Sequence, residues 1–204
     1  MNMKTNLKIL AILTCLATST GAYAQVVGFI RPELSYNFPT ISVPHNPEIS
    51  LKDSFGYSLD GGVLLGAQNE HEIGLSLGIL NFSMSAHGIQ GVTTFSGMVK
   101  TIPIMANYRY YFGAKGDPVR FYLAPSLAYT RVQVDVTTYG PSGIAWGRST
   151  STDFTWAAGL GMLIKVATRV DIDIGYRFQG ELKESVTGTE IRMHTVYTGV
   201  NIRF

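Results

Sequence analysis

Nine consecutive residues, 170 to 178, alternate without a break between two rows: Val170, Ile172, Ile174, Tyr176 and Phe178 in one, Asp171, Asp173, Gly175 and Arg177 in the other. Successive side chains of an extended strand point to opposite faces, so a period of two predicts a strand with one apolar side. Similar rows occupy seven further segments: 26–38, 55–66, 73–83, 101–112, 119–134, 154–166 and 195–204. Each of the eight strands is long enough for the roughly 9 to 11 residues that cross a bilayer at a tilt.

The links between these strands alternate in length. Short turns fall at 68–70, 113–118 and 167–169, whereas 39–54, 84–94, 135–153 and 179–194 are long. This alternation predicts an antiparallel up-and-down barrel with short turns at one end and four long loops at the other. The last residues alternate Val200, Ile202 and Phe204 with Gly199, Asn201 and Arg203. A final strand of this kind needs an apolar surface and a neighbour on each side, which a closed barrel in lipid supplies.

Alternation alone leaves open which row faces inward, because a soluble lipocalin-like barrel has the same period. Side-chain size decides between them. The row opposite the apolar one is small in three places (Gly74, Ser76, Gly78; Ala124, Ser126, Ala128; Ala157, Gly159, Gly161), as a narrow lumen requires. The rows lack the Lys and Glu that a water-facing outer surface would carry, so the apolar row is expected to face lipid. Aromatic residues support this, with Tyr36, Phe38, Tyr57, Phe154, Trp156, Tyr176 and Phe178 near loop ends and Tyr108, Tyr110, Phe112, Phe121 and Phe204 near turn ends. Two interfacial girdles have this distribution. Pro32, Pro103 and Pro125 fall inside strands, where each lacks a ladder donor, and a bulge or bend is expected at each. Residues 73–99 carry no formal charge, but Gly74, Gly78, Gly88, Gly91 and Gly97 break them too often for a spanning helix.

The N-terminal 24 residues read as an export signal, with Lys4 and Lys8, an apolar run over 9–16 and Ala22-Tyr23-Ala24 before a cleavage point. The run is too short for a helical anchor, and Thr14 before Cys15 is too large for a lipoprotein signal. Residues 25–204 then form one barrel domain. Without Lys4 and Lys8 that domain has 14 basic and 14 acidic residues, so no excess charge draws it to nucleic acid. Cys15 is the only cysteine, which leaves the mature chain without a disulfide, thiolate metal site or thiol nucleophile. Charged residues make up only 15% of the chain, where a soluble domain has about 25%.

Three segments resemble the outer membrane protein β-barrel domain family, the eight-stranded OmpA-like and OmpX/Ail-like proteins. They are Trp156-Ala157-Ala158-Gly159-Leu160-Gly161 followed by 170–178; Ile102-Pro103-Ile104 leading to Tyr108-Arg109-Tyr110-Tyr111-Phe112 and then Phe121-Tyr122-Leu123-Ala124-Pro125; and Gly199 to Phe204. The resemblance implies residence in the outer membrane of a Gram-negative bacterium, among outer-membrane lipid and lipopolysaccharide, with both termini periplasmic. It also implies that Gly199, Ile202 and Phe204 form the C-terminal signal read by the barrel assembly machinery. Roles in that family run from envelope integrity to binding of host factors, and a scaffold so widely shared does not choose among them.

Inward-facing charges are expected at Arg31, Glu33, Asp60, Arg109, Asp171, Asp173, Arg177 and Arg203, paired as an ion network filling the lumen. A narrow pore or small-solute transporter is the alternative, disfavoured because eight strands leave an interior that side chains just fill. A lipid A hydrolase would need a His-x-Ser pattern. His71 and His194, the histidines beside strands, have no serine within two positions, and with His45 and His87 they lack metal-ligand spacing. A non-enzymatic protein without cofactor is therefore expected, serving envelope structure and surface interaction through its loops. Tyr139, Trp146 and Arg148 in the third long link are the candidate contacts with a host or envelope protein, unless they pack on the barrel rim.

Overall fold

The computed structural model describes residues 26–42, 49–86, 94–140, 143–183 and 190–204. The expected export signal, 1–24, and His45 and His87 lie outside the described residues. Among the described residues the elements are nine strands: β1 (Val27–Ser42), β2 (Ile49–Leu51), β3 (Ser54–Leu65), β4 (His71–Ala86), β5 (Thr94–Phe112), β6 (Val119–Gly140), β7 (Gly143–Ala167), β8 (Val170–Lys183) and β9 (Glu190–Arg203). β1 pairs with both β3 and β9, and β4 with both β3 and β5, so eight antiparallel strands close into a ring. The ninth, β2, adds three residues beside Met84–Ala86 of β4 and is a strand the sequence pattern did not predict.

Burial follows the two rows. Along β4, Glu72, Gly74, Ser76 and Gly78 are buried and Ile73, Leu75, Leu77 and Ile79 exposed. Leu75 is 64% exposed and its neighbour Ser76 2%, so the apolar row faces outward and the small row fills the lumen. A soluble barrel would have the reverse arrangement.

The prolines do not act as bulges. The β1–β9 ladder loses the pairs of Arg31 and Pro32 but resumes in the same register, from Ile30↔Ile202 to Glu33↔Gly199. Pro103 likewise interrupts only its β4 side and Pro125 only its β5 side, while Pro103↔Thr130 and Pro125↔Ala158 persist on the other. One missing N–H removes hydrogen bonds on one side of a strand, and the opposite neighbour holds it in place. The register shifts occur elsewhere, between Lys165 and Ala167 and between Gln179 and Leu182.

The third long link is mostly strand. β6 and β7 stay paired from Val119↔Ile164 to Gly140↔Gly143, which places Tyr139, Trp146 and Arg148 on a hairpin rather than a loop. Apolar alternation fades after Val134, where the sequence pattern ends the strand, but Val136, Thr137 and Thr138 are residues that favour the pleated backbone. β5 follows this extension as far as Thr94↔Tyr139. β8 does not: among the described residues its last pair with β7 is Ala157↔Gln179.

Candidate functional site in the barrel lumen

Six of the eight expected lumen charges converge in one cluster. Arg31 and Glu33 come from β1, Asp60 from β3, Arg109 from β5, and Asp173 and Arg177 from β8, each on the buried row. Arg31 is fully buried and grips Glu72 of β4 with both terminal guanidinium nitrogens, at 2.7 and 3.2 Å. It also lies 3.6 Å from Asp60 and 3.3 Å from Asp173. Arg109 donates to Glu33 at 3.1 Å and to Asp60 at 3.4 Å, reaches Glu72 at 3.3 Å, and pairs with Asp173. Arg177 joins at 3.5 Å from Glu33. Charges this deep are held only where partners and hydrogen bonds replace water, and each carboxylate here has at least one guanidinium beside it.

Tyrosines complete the cluster. Tyr111 donates its hydroxyl to Glu72 at 2.6 Å and Tyr122 donates to Asp173 at 2.5 Å, with Tyr197 at 2.8 Å from the Tyr122 oxygen. The guanidiniums of Arg109 and Arg177 also lie over the rings of Tyr122 and Tyr197, at 4.8 and 4.9 Å. Room for these rings comes from missing side chains: a Cβ at Gly161 would sit 2.4 Å from the Tyr122 oxygen, and one at Gly175 2.5 Å from Tyr197. The sequence pattern missed Glu72 and all three tyrosines. Glu72 stands one residue before the expected start of its strand, yet shares the row of Gly74 and Ser76, and each tyrosine shares the row of an expected arginine or small residue.

Asp171 and Arg203 form a separate pair at the short-turn end, 3.0 Å apart, with Asn201 donating to Asp171 at 3.1 Å. Asn201 lies 3.4 Å from Arg31 and so links the two groups. Apolar layers bound the polar centre, with Phe29, Leu64, Tyr111, Tyr122 and Leu163 towards the short turns and Leu80, Phe82, Val99, Val132 and Met193 towards the long links. Between the centre and the second layer a cavity of about 20 Å³ borders Ser35, Asn37, Arg177 and Gln179. That is room for about one water molecule.

The other expected site residues are placed as follows. Gly199 pairs with Glu33 and Asp173 in the lumen wall, Ile202 faces outward, and Phe204 lays its ring on Gly28, whose backbone it bonds at 2.9 and 3.1 Å. On the projecting hairpin Tyr139 faces Ile144, and Trp146, 85% exposed, follows on the same outward row. Arg148 donates to Asp135 across the ladder at 2.5 Å. Hydrogen bonds from Arg148 and then Gln133 hold the exposed Asp135 carboxyl below the usual carboxylate range. His71 and His194 each bond a tyrosine, Tyr108 at 2.8 Å and Tyr176 at 2.6 Å.

No curated protein matches the chain. Among solved structures, OprG from Pseudomonas aeruginosa superposes with a TM-score of 0.62 at 11% identity, covering 90% of this chain and 98% of that one. Neisserial surface protein A gives 0.53 at 16% identity, with coverages of 87% and 97%. Ail of Yersinia pestis, solved with the heparin analogue sucrose octasulfate, gives 0.51 at 11%, with 86% and 99%. At these identities the likeness is one of fold. The family model for the outer membrane protein beta-barrel domain matches residues 9–204, and the chain belongs to that family.

Proposed function

We propose that this barrel is a non-enzymatic, closed envelope protein that contacts a host or envelope protein through the sheet it projects beyond the membrane. The observation that carries this reading is the β6–β7 hairpin. From Phe154 in the girdle to Trp146 the strand runs eight residues, roughly 27 Å at about 3.4 Å per residue. Its outward row ends in Tyr139, Ile144 and Trp146, exposed apolar side chains clear of the lipid band. Tyr and Trp dominate the energetics of protein contacts. Among the described residues the β7–β8 ladder ends at Ala157↔Gln179, and an extended segment can add beside a strand that outruns its neighbour.

The Ail structure holds a sulfated sugar analogue, but a polyanion suits this hairpin poorly, since Asp135 already neutralises Arg148 and the mature chain has no excess positive charge. A protein partner fits the exposed aromatics better. In this reading the export signal of 1–24 is removed, both termini lie in the periplasm, and Phe204 with Gly199 and Ile202 serves recognition by the assembly machinery. The transporter alternative requires a path through two apolar layers and the ion cluster between them. Comparing cells that produce the protein with cells producing Tyr139, Trp146 and Arg148 all changed to Ala tests the contact role. Adhesion to epithelial cells or binding of serum proteins should fall at least tenfold at equal surface amounts, and unchanged binding would refute it.

A further inference from the structure

The wall of the barrel forks where the β7–β8 ladder ends at Ala157↔Gln179. Beyond that pair β7 continues with β6, while β8 passes a register shift and continues with β9. The fork holds a cleft of about 470 Å³, lined by Asp153, Phe154, Trp156, Phe178, Glu181 and Arg192 among others. This volume is in the range of small-molecule sites, about 300 to 1,000 Å³. We infer that the cleft binds a neutral sugar ring of the glycolipid around the barrel.

Three features select that ligand. First, the aromatic walls form a platform: Trp156 packs 5.5 Å from Phe178 between ring centroids, and a Cβ at Gly180 would sit 2.8 Å from its indole. Gly180 thus brings the indole flush with the wall while leaving it 54% exposed. The negative face of an aromatic ring attracts the C–H face of a sugar. Second, the rim carries both hydrogen-bond signs, carboxylates on Asp153 and Glu181 and the Arg192 guanidinium paired with Glu181. Sugar hydroxyls donate and accept, so they use both. A phosphate would meet two carboxylates, and a simple cation would meet Arg192. Third, Phe154 and Trp156 are on the outward row, with the Phe154 ring tilted against Tyr129 of the aromatic girdle at 5.0 Å between centroids. The cleft therefore continues the lipid-facing surface at the depth where a glycolipid carries its sugars.

Trp146 and Trp156 are the only tryptophans, so W146F leaves Trp156 as a reporter inside the cleft. The folded W146F protein in detergent is titrated with purified lipopolysaccharide, with dephosphorylated lipopolysaccharide, with its released oligosaccharide and with phosphatidylglycerol. Both forms of lipopolysaccharide should change Trp156 emission saturably, with affinities within about twofold, and the oligosaccharide should do so at higher concentration. Phosphatidylglycerol should not. Glu181→Ala, a partly exposed change, should weaken both lipopolysaccharide titrations about tenfold, the loss of one charged hydrogen bond. The inference is overturned if dephosphorylation abolishes the response, if phosphatidylglycerol reproduces it, if the oligosaccharide gives none at millimolar concentration, or if Glu181→Ala changes nothing. It rests on the lipid-facing band and is independent of the contact role proposed for the hairpin tip.

Discussion

Arg31 and Glu72, separated by 41 positions in sequence, meet inside the barrel as a two-pronged ion pair with no access to solvent, at 2.7 and 3.2 Å. β1 and β4 are not neighbours in the ring, since β3 lies between them, so the pair spans the lumen rather than one ladder. It ties the wall together through its filling.

Removing one member of a buried pair leaves the other charge uncompensated, at a cost of about 3 to 5 kcal/mol. Glu72→Ala should lose that much, measured by urea unfolding of the protein in lipid vesicles. Tyr111→Phe, which deletes only the hydroxyl donated to Glu72, should lose about 1.5 to 3 kcal/mol. Equal stability of Glu72→Ala and the parent would mean that the network contributes nothing net.

Two buried apolar layers flank the ion cluster along the lumen. In planar bilayers the parent protein should give no steady channel. Phe82→Ala with Leu80→Ala, which opens the layer nearer the long links, should still give none because the ion cluster remains. Stable conductance steps from the parent would favour the transporter reading.

Asp135 and Arg148 join the strands of the projecting hairpin outside the lipid band. The folded pKa of Asp135 is lowered by those bonds, so its contribution to hairpin order is present above the unfolded carboxylate value of about 3.9 and fades as pH falls through the lower folded value. At neutral pH Asp135→Asn should increase protease nicking between 135 and 150. The parent should approach that rate only under strong acid, in a protease resistant to it. The same nicking rate for both proteins at pH 7 would show that the pair does not order the hairpin.

Phe204 joins the last strand to the first through its bonds to Gly28 and its ring. Changing Phe204 to Ala should lower the fraction of cellular protein that shifts mobility on boiling, the sign of a folded barrel, without affecting refolding of purified protein into detergent. If refolding in vitro fails equally, the residue acts in the fold itself rather than in recognition by the assembly machinery.

The ring of eight strands was legible because a lipid-facing wall imposes strict alternation, as in 170–178. Ile73 and Ser76 already declare which side is which. Glu72 was not legible because it lies beyond the first outward residue of its strand, where row membership depends on knowing that the ladder continues. The outer half of the β6–β7 hairpin was hidden for a related reason: outside lipid both faces meet water, so the period vanishes while the backbone pairing persists. The bulge expected at each proline does not form because a strand paired on both sides tolerates the loss of bonds on one.

The central claim, that the apolar row meets acyl chains and the small and ionic row meets only itself, is tested most directly by cysteine labelling, since residues 25–204 contain no cysteine of their own. Single cysteines at Leu75, Ser76 and Leu77 are labelled with an environment-sensitive fluorophore, in urea before folding, and the proteins are folded into vesicles containing brominated lipid. The account predicts strong quenching at 75 and 77 and little at 76. Quenching at 76 with free access of aqueous iodide at 75 and 77 would contradict it.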